Sequence, residues 1–426
     1  MPSGRVTPDP FALARALEAM RRDLAGVLTI GVTGTKGKTS TTEFIGQLMA
    51  ARGLRTAVST SESARIGARP VAVSEHLEEF AAFVRRCRRA RVECLVVELC
   101  SFALRWNVHR GLDLDAAVLT NIGTDHISDH GNVRNYVAVK RRMFRDLRAR
   151  PASPAPVAIV NADDTHAGAF RRGPGSGVRV ATYSLRARNG REAGHVWATR
   201  VRHAERGTSF TIHGLAARPL PCRTRLHGDF NVANVLAALA CAVALGGDPR
   251  RTVAAAGTLM PPPGRFAIVG AMVAGRPAVV VDYAHTPESV GAALAAARAL
   301  RPLGRVHAVF GCGGDCYKGK RPLMGAVAAR RADSIIVTSD NPRTEDPRSI
   351  ARAILRGIPP SRRRDVRVEL DRARAIHQAV TGAAADDIVV LLGKGAEQTQ
   401  EIAGRTSPFS DLRVARRALD ASTRLC

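Results

Sequence analysis

For so basic a chain, lysine is scarce. Of 64 basic residues among 426, six are lysine: Lys36, Lys38, Lys140, Lys318, Lys320 and Lys394. Aromatic residues make up only 4%, too few for the stacking platforms that carry single-stranded nucleic acid. The net charge of +27 is therefore read as arginine scattered over solvated faces, in segments such as 83–91 and 362–374, and no nucleic-acid partner is expected. No uninterrupted apolar stretch reaches bilayer length. The first ten residues, MPSGRVTPDP, lack the apolar centre of a secretory leader, so a cytoplasmic protein with no membrane partner is expected. The eight cysteines show neither paired CxxC spacing nor a small-scaffold framework, and reduced thiols are expected. Cys312 and Cys316 come without further ligands and are not read as a metal site. Lysine persists where the broad, nearly non-titrating guanidinium cannot replace it, and all six lie in or beside segments singled out below.

What is present is concentrated at residues 27–49, VLTIGVTGTKGKTSTTEFIGQLM. Residues 27–32 are a short apolar, β-branched run of the kind that makes a buried parallel strand. Residues 33–40 form a Gly-rich turn, and after Thr39 the residues Phe44, Ile45 and Leu48 recur at helical spacing. Strand, glycine loop and helix in that order are the setting in which such a turn binds a nucleotide. Gly31, Gly34 and Gly37 are read as letting the backbone approach a polyphosphate, with N–H groups of the helix start aimed at it. Lys38 would reach the terminal phosphates and the Thr39 hydroxyl would ligate Mg²⁺. The strict spacing asks for glycine at position 32, where this chain has Val32.

The variant Thr33-Gly34-Thr35-Lys36-Gly37-Lys38-Thr39 resembles the ATP loop of the Mur ligase family, enzymes that join a carboxylate to an amino acid's amine with hydrolysis of ATP. The resemblance implies ATP and Mg²⁺ as cofactors, with Gly34, Thr35, Gly37, Lys38, Thr39 and Ser40 around the nucleotide. It implies an α/β fold: a P-loop central domain with a mostly parallel sheet, then a Rossmann-like C-terminal α/β domain. The expected division is an N-terminal helical extension over 1–26, a central domain over 27–260 and a C-terminal domain over 261–426. A length of 426 residues and 45% hydrophobic content suit two or three packed domains. In the extension, Leu13, Leu17, Met20 and Leu24 make one apolar stripe, so a helix over about 10–24 is expected. Cell-wall members carry a further domain for a uridine nucleotide before the ATP loop, and with residues 1–26 ahead of that loop no such domain is expected.

Further motifs follow in family order. Residues 94–97 are an apolar strand ending in Glu98, and an acidic residue at the carboxyl end of a parallel strand sits where α/β sheets bind ligands. Glu98 is a candidate Mg²⁺ ligand. The segment Glu98-Leu99-Cys100-Ser101-Phe102 resembles the family's Glu-Val-Ser-Ser-His, with Ser101 kept as a substrate contact while Cys100 and Phe102 replace a serine and a histidine. After a strand at 116–119, Thr120-Asn121 and His126 match a Thr-Asn-…-Asp-His motif. That match implies substrate contacts at Thr120 and Asn121 and a second metal ligand at His126; His130 is read as structural. Lys140, in a helix around 135–144, resembles the family's carbamylated lysine, whose anionic side chain can bridge to Mg²⁺. The implied catalytic set is Lys38, Glu98, His126 and Lys140, with Thr39, Glu98, His126 and Lys140 on metal.

A Pro-rich linker at 151–156 leads to a small β insert at about 177–215, which carries no obvious chemistry. Asn231 and Asn234 open an alanine-rich helix; the family places these amides near the adenine, though the residues alone equally suit a polar helix start. Arg265, and Asp282 with His285 at the end of a strand over 278–281, are implied at the nucleotide. Strands at 306–310, 334–338 and 388–392 each deliver a loop to one carboxyl edge. The loops resemble the branch that adds the third residue of the cell-wall peptide, which implies that Asn341, Arg343, Gly393 and Glu397 hold an amino acid. Arginine suits a carboxylate through bidentate hydrogen bonds. Cys316 stands in place of a further carboxylate-binding arginine and Ala396 in place of a histidine.

The expected activity is an ATP-dependent, ADP-forming acid–amino acid ligase acting through an acyl phosphate. Its substrates would be a small-molecule carboxylate and an amino acid, and its state a monomer or weak dimer. With the altered acceptor loop, a peptide or amino-acid carboxylate outside the main cell-wall pathway is favoured, and a cell-wall synthetase is the alternative. From another class, a non-catalytic ATP-binding partner or a nucleic-acid-stimulated ATPase also stands.

Overall fold

In the computed structural model, residues 9–72, 76–123, 127–150, 154–186, 194–270, 272 and 275–422 are described. Two compact units result, Met1–Arg202 with Gly207–Met260, and His203–Arg206 with Pro261–Cys426.

The first unit is built on an eleven-stranded sheet. Its strands are β1 (Leu28–Thr33), β2 (Thr56–Ser59), β3 (Ala64–Ile66), β4 (Arg69–Val71), β5 (Cys94–Glu98), β6 (Ala116–Leu119), β7 (Val157–Asn161), β8 (Arg179–Ser184), β9 (His195–Ala204), β10 (Gly207–His213) and β11 (Leu220–Thr224). Their order across the sheet is β11-β10-β9-β8-β7-β6-β1-β5-β2-β3-β4. The strands from β2 to β9 through β5, β1, β6, β7 and β8 are parallel neighbours. β3, β4 and the β10–β11 pair run antiparallel.

The central strands are apolar on both faces, as a sheet covered by helices on each side requires. Ile30, Val32, Val96 and Val118 pack with Phe44, Ile45 and Leu236 on one face. Leu95, Val97, Leu119, Met143 and Phe144 fill the other. The N-terminal helix runs Pro10–Asp23, capped by Asp9; its Met20 and the Leu24 that follows the helix enter that second core. Strands β8–β11 continue the same sheet outward from β7.

The second unit holds a six-stranded sheet of β12 (Ala267–Ile268), β13 (Ala278–Asp282), β14 (Val306–Phe310), β15 (Ser334–Val337), β16 (Val366–Val368) and β17 (Ile388–Leu392). The order is β12-β13-β17-β14-β15-β16. All neighbours are parallel except the short β12 edge. A hairpin, β18 (Thr399–Ile402) with β19 (Arg405–Pro408), follows it. Parallel strands joined by helices put every strand-to-helix loop at one carboxyl edge. The α/β class, with a mostly parallel P-loop sheet and a second Rossmann-like sheet, is therefore as expected.

Candidate functional site

The phosphate loop lies between β1 and the helix Lys38–Ala51, whose N-cap is Gly37. Gly34 has φ +151, and a Cβ there would lie 1.9 Å from Thr120 Oγ1, so no other residue fits. Gly31 plays a different part from the one expected. It sits in β1, where a Cβ would lie 2.8 Å from a Leu114 methyl group and 3.0 Å from Met143 Sδ. It makes room for Leu114 and Met143 to pack against the sheet.

The loop is held by the segment that follows β6. Thr120 Oγ1 donates to Lys36 O at 2.7 Å. Asn121 Nδ2 donates to the same carbonyl at 2.9 Å, and Asn121 Oδ1 accepts from Lys36 N at 2.9 Å. Asn121 O accepts from Thr35 N at 2.8 Å. Thr35 Oγ1 accepts from Gly123 N at 2.8 Å and meets Tyr136 Oη at 3.1 Å. The side chains of Thr120 and Asn121 are thus spent on the loop's backbone.

Three charged side chains gather around that loop. Lys38 Nζ donates to Thr35 O at 3.0 Å and lies 3.7 Å from Glu98 Oε1. Glu98, at the end of β5, accepts from Thr39 Oγ1 at 2.8 Å. It also accepts from Ser61 N and Ser61 Oγ at 3.3 and 3.2 Å. Lys140, 1% exposed, donates to Gly34 O at 2.7 Å and Thr33 Oγ1 at 3.3 Å. Its Nζ stands 4.7 Å from the Tyr136 ring centroid. Ser40 is buried in the first turn of the helix. A hydroxyl and a carboxylate side by side, with cations for phosphate next to them, are the hard oxygen donors that Mg²⁺ takes together with phosphate oxygens. His126 lies outside the described residues.

The other nucleotide candidates of this unit lie close behind. Asn234 Oδ1 accepts from Thr41 Oγ1 of the P-loop helix at 3.2 Å, and Asn231 Nδ2 donates to His227 O at 2.9 Å. Ser101 is buried at the start of the helix Ser101–Arg105. The Phe102 ring centroid is 5.9 Å from that of His130, which in turn is 5.2 Å from Tyr136.

In the second unit, β13 ends in Asp282, whose carboxylate accepts from Phe266 N at 2.7 Å and Ala284 N at 2.8 Å. His285 Nδ1 meets Tyr283 O at 2.7 Å, and the Arg265 guanidinium lies over the Tyr283 ring at 4.4 Å. Arg265, Asp282 and His285 therefore share one corner.

A second cluster forms where β15 and β17 end. Glu397 Oε2 accepts from Asn341 Nδ2 at 2.8 Å and from Lys394 Nζ at 2.6 Å. Lys394 Nζ also reaches Asn341 Oδ1 at 2.9 Å. The Lys394 side chain is fully buried while that of Glu397 is about a third exposed, at 32%. Arg343, with φ +54, donates to Gly314 O at 2.5 Å and approaches Cys316 Sγ at 3.4 Å. Glu401 Oε2 lies 3.6 Å from its Nε. Behind it, Glu345 takes both terminal nitrogens of Arg321, which with the Asp315 N–H and Lys318 hold its carboxyl down at about 2.

Ser61 and Arg372 escape a reading of sequence, whereas Lys394 does not. Ser61 sits in a Ser/Thr-rich turn with no pattern to mark it. Lys394 carries a signal in its rarity. Arg372 is the clearest miss: it falls within the arginine-rich run 362–374, read as solvated, yet it is 1% exposed. Its guanidinium forms a fully buried bidentate pair with Asp411, at 2.7 and 2.6 Å. A buried fork with a matched carboxylate cannot be told from a surface arginine by composition.

A P-loop sheet followed by a second parallel sheet whose loops gather amide, carboxylate and guanidinium groups defines an ATP-using, amide-forming ligase. The chain belongs to the Mur ligase family: residues 32–242 match its middle domain and 264–395 its glutamate ligase domain. A UDP-N-acetylmuramoyl-L-alanyl-D-glutamate–2,6-diaminopimelate ligase of Chromobacterium violaceum is 37% identical over 96% of this chain and 80% of its own length. The ligase of that name from Geobacillus kaustophilus is 36% identical over 92% of this chain and 78% of its own. A solved structure of a ligase so named aligns with TM-score 0.68 at 30% identity, covering 97% of this chain and 84% of that one. A Mycobacterium tuberculosis folylpolyglutamate synthase, at 20% identity and TM-score 0.72, shares the fold. The protein is an ATP-dependent, ADP-forming acid–amino acid ligase. The relatives favour the cell-wall alternative over a specialised pathway. Among the described residues, no helix is long and apolar enough to cross a membrane.

Proposed function

We propose that this ligase joins a diamino acid to the D-glutamyl carboxylate of UDP-N-acetylmuramoyl-L-alanyl-D-glutamate. The observation that carries the reading is the polar knot of Asn341, Lys394 and Glu397 with Arg343 two residues on. The relatives named above support it through their own substrates. ATP is held by the backbone of residues 34–40 with Asn231 and Asn234 on the same unit; in the second unit Arg265, Asp282 and His285 are the nucleotide-binding candidates. The substrate carboxylate attacks the γ-phosphorus, ADP leaves, and Lys38 offsets charge on the transferred phosphoryl group. The amine then attacks the acyl carbon, phosphate leaves, and the amine gives up a proton.

Mg²⁺, when bound by Thr39, Glu98, His126 and a carbamate on Lys140, supplies charge stabilisation and a template. Arg343 takes the distal carboxylate of the amino acid, and the outward oxygen of Glu397 its ammonium group. Ser101 contacts the acyl substrate and Gly393 the amino acid, while Thr120 and Asn121 act through the phosphate loop. Cys316 beside Arg343 leaves one guanidinium where two would grip a dicarboxylate, which favours lysine or ornithine as a second reading for the acceptor.

The test is phosphate release from ATP with the uridine-linked dipeptide and single amino acids, followed by mass spectrometry of the product. A 2,6-diaminopimelate adduct is expected. An adduct with lysine or ornithine alone would select the second reading, and turnover confined to acids without the uridine nucleotide would refute both.

A further inference from the structure

The candidate amino-acid site depends on two loops from neighbouring parts of one sheet edge, 338–343 after β15 and 393–398 after β17. Their roots lie very close together. A Cβ on Gly393 would be 2.2 Å from Asp340 Oδ2, and Gly393 N donates to Asp282 O at 3.1 Å. Loops in such contact need a fixed point, since an error of one ångström in a positioning group costs far more activity than stability.

Arg372 supplies it. It is the first residue of the helix Arg372–Thr381, capped by Asp371, and its side chain has no solvent exposure. Two of its donors grip Asp411, itself fully buried in the first turn of the helix Asp411–Ser422. The remaining donors reach out of that pair to Ser339 O at 3.3 Å and to Leu392 O at 3.0 Å. Those carbonyls are the ones preceding Asp340 and Gly393, two positions before Asn341 and Lys394. One planar guanidinium therefore ties both loop roots to two helices. Gln400 adds a parallel tie, donating to Asp340 O at 2.7 Å.

We infer that Arg372, oriented by Asp411, is a positioning residue that sets the spacing of Asn341 and Glu397 for the incoming amino acid. The inference rests on the proposed placement of the amino acid at those two residues. A lysine at this position keeps the charge but reaches a carboxylate as a point, and cannot serve two carbonyls and a carboxylate in one plane.

The test uses full-length Arg372→Lys, with Asp411→Asn as a second variant and Glu397→Gln as the control on the site. Kinetics are read well below each variant's own melting midpoint, so that loss of fold does not enter. Both clamp variants are expected to raise KM for the amino acid by about tenfold or more, a shift worth about 1.4 kcal/mol, with KM for ATP within twofold. Amide formed per ADP should fall, because a misplaced amine leaves the acyl phosphate to water. If KM for ATP and for the amino acid rise together, or only the melting midpoint moves, Arg372 is a structural residue and the inference fails. If Glu397→Gln leaves the amino-acid KM unchanged, the placement itself falls and takes the inference with it.

Discussion

Replacing Asn121 by alanine separates two roles for the segment after β6. If Asn121 acts on the phosphate loop, the variant loses both of its side-chain hydrogen bonds to Lys36, at 2.9 Å each. The Lys36 carbonyl keeps Thr120 Oγ1 at 2.7 Å. At about 1 kcal/mol net per intramolecular hydrogen bond, the loop loses about 2 kcal/mol of preorganisation. Binding ATP must then restore that order, so the apparent KM for ATP should rise roughly thirtyfold. Turnover at saturating ATP and the KM values of the other substrates should change little. The assay is initial-rate phosphate release with each substrate varied in turn. A rise confined to the carboxylate substrate, with ATP unaffected, would refute the loop role and restore Asn121 as a substrate contact.

Lys140→Ala should cripple turnover, and short carboxylates added to the assay should restore part of it; unimpaired turnover would rule out a carbamate there. Glu345 has a folded-state pKa of about 2 against an ordinary 4.5, held down first by the Arg321 hydrogen bonds. Because the folded value is depressed, its contribution is complete above pH 4.5 and drains away as pH falls toward 2. Glu345→Gln should therefore melt below wild type at neutral pH, and the gap should close through that window. A gap independent of pH would show that charge is not what the pair contributes.

The strands at the heart of both sheets were legible because burial on two faces writes itself as unbroken apolar runs. β6, β14 and β17 fall on the residues the pattern marks, and β5 and β13 take in one more residue each, Glu98 and Asp282. The P-loop was legible from glycine and lysine spacing. Contacts between distant segments were not. Nothing local tells that Ser61 caps Glu98, that Asn121 braces Lys36, or that Arg372 is paired with a residue 39 positions away. Abundant arginine hid Arg372, which is wholly buried with its partner, while rare lysine pointed at Lys38, Lys140 and Lys394. Gly31 misled because a glycine demanded by packing and one demanded by a ligand look alike in sequence.

The outward run of β8 to β11 has a consequence for anyone trimming this enzyme. Tyr183 of β8 passes its hydroxyl hydrogen to Leu119 O or Thr120 O, at 3.1 and 3.3 Å, so the flank is stitched to the very turn that braces the ATP loop. Cutting it away would bare β7, four of whose five residues are buried, as a raw hydrophobic border ready to zip onto another chain. A shortened catalyst would have to shed length somewhere other than this hem.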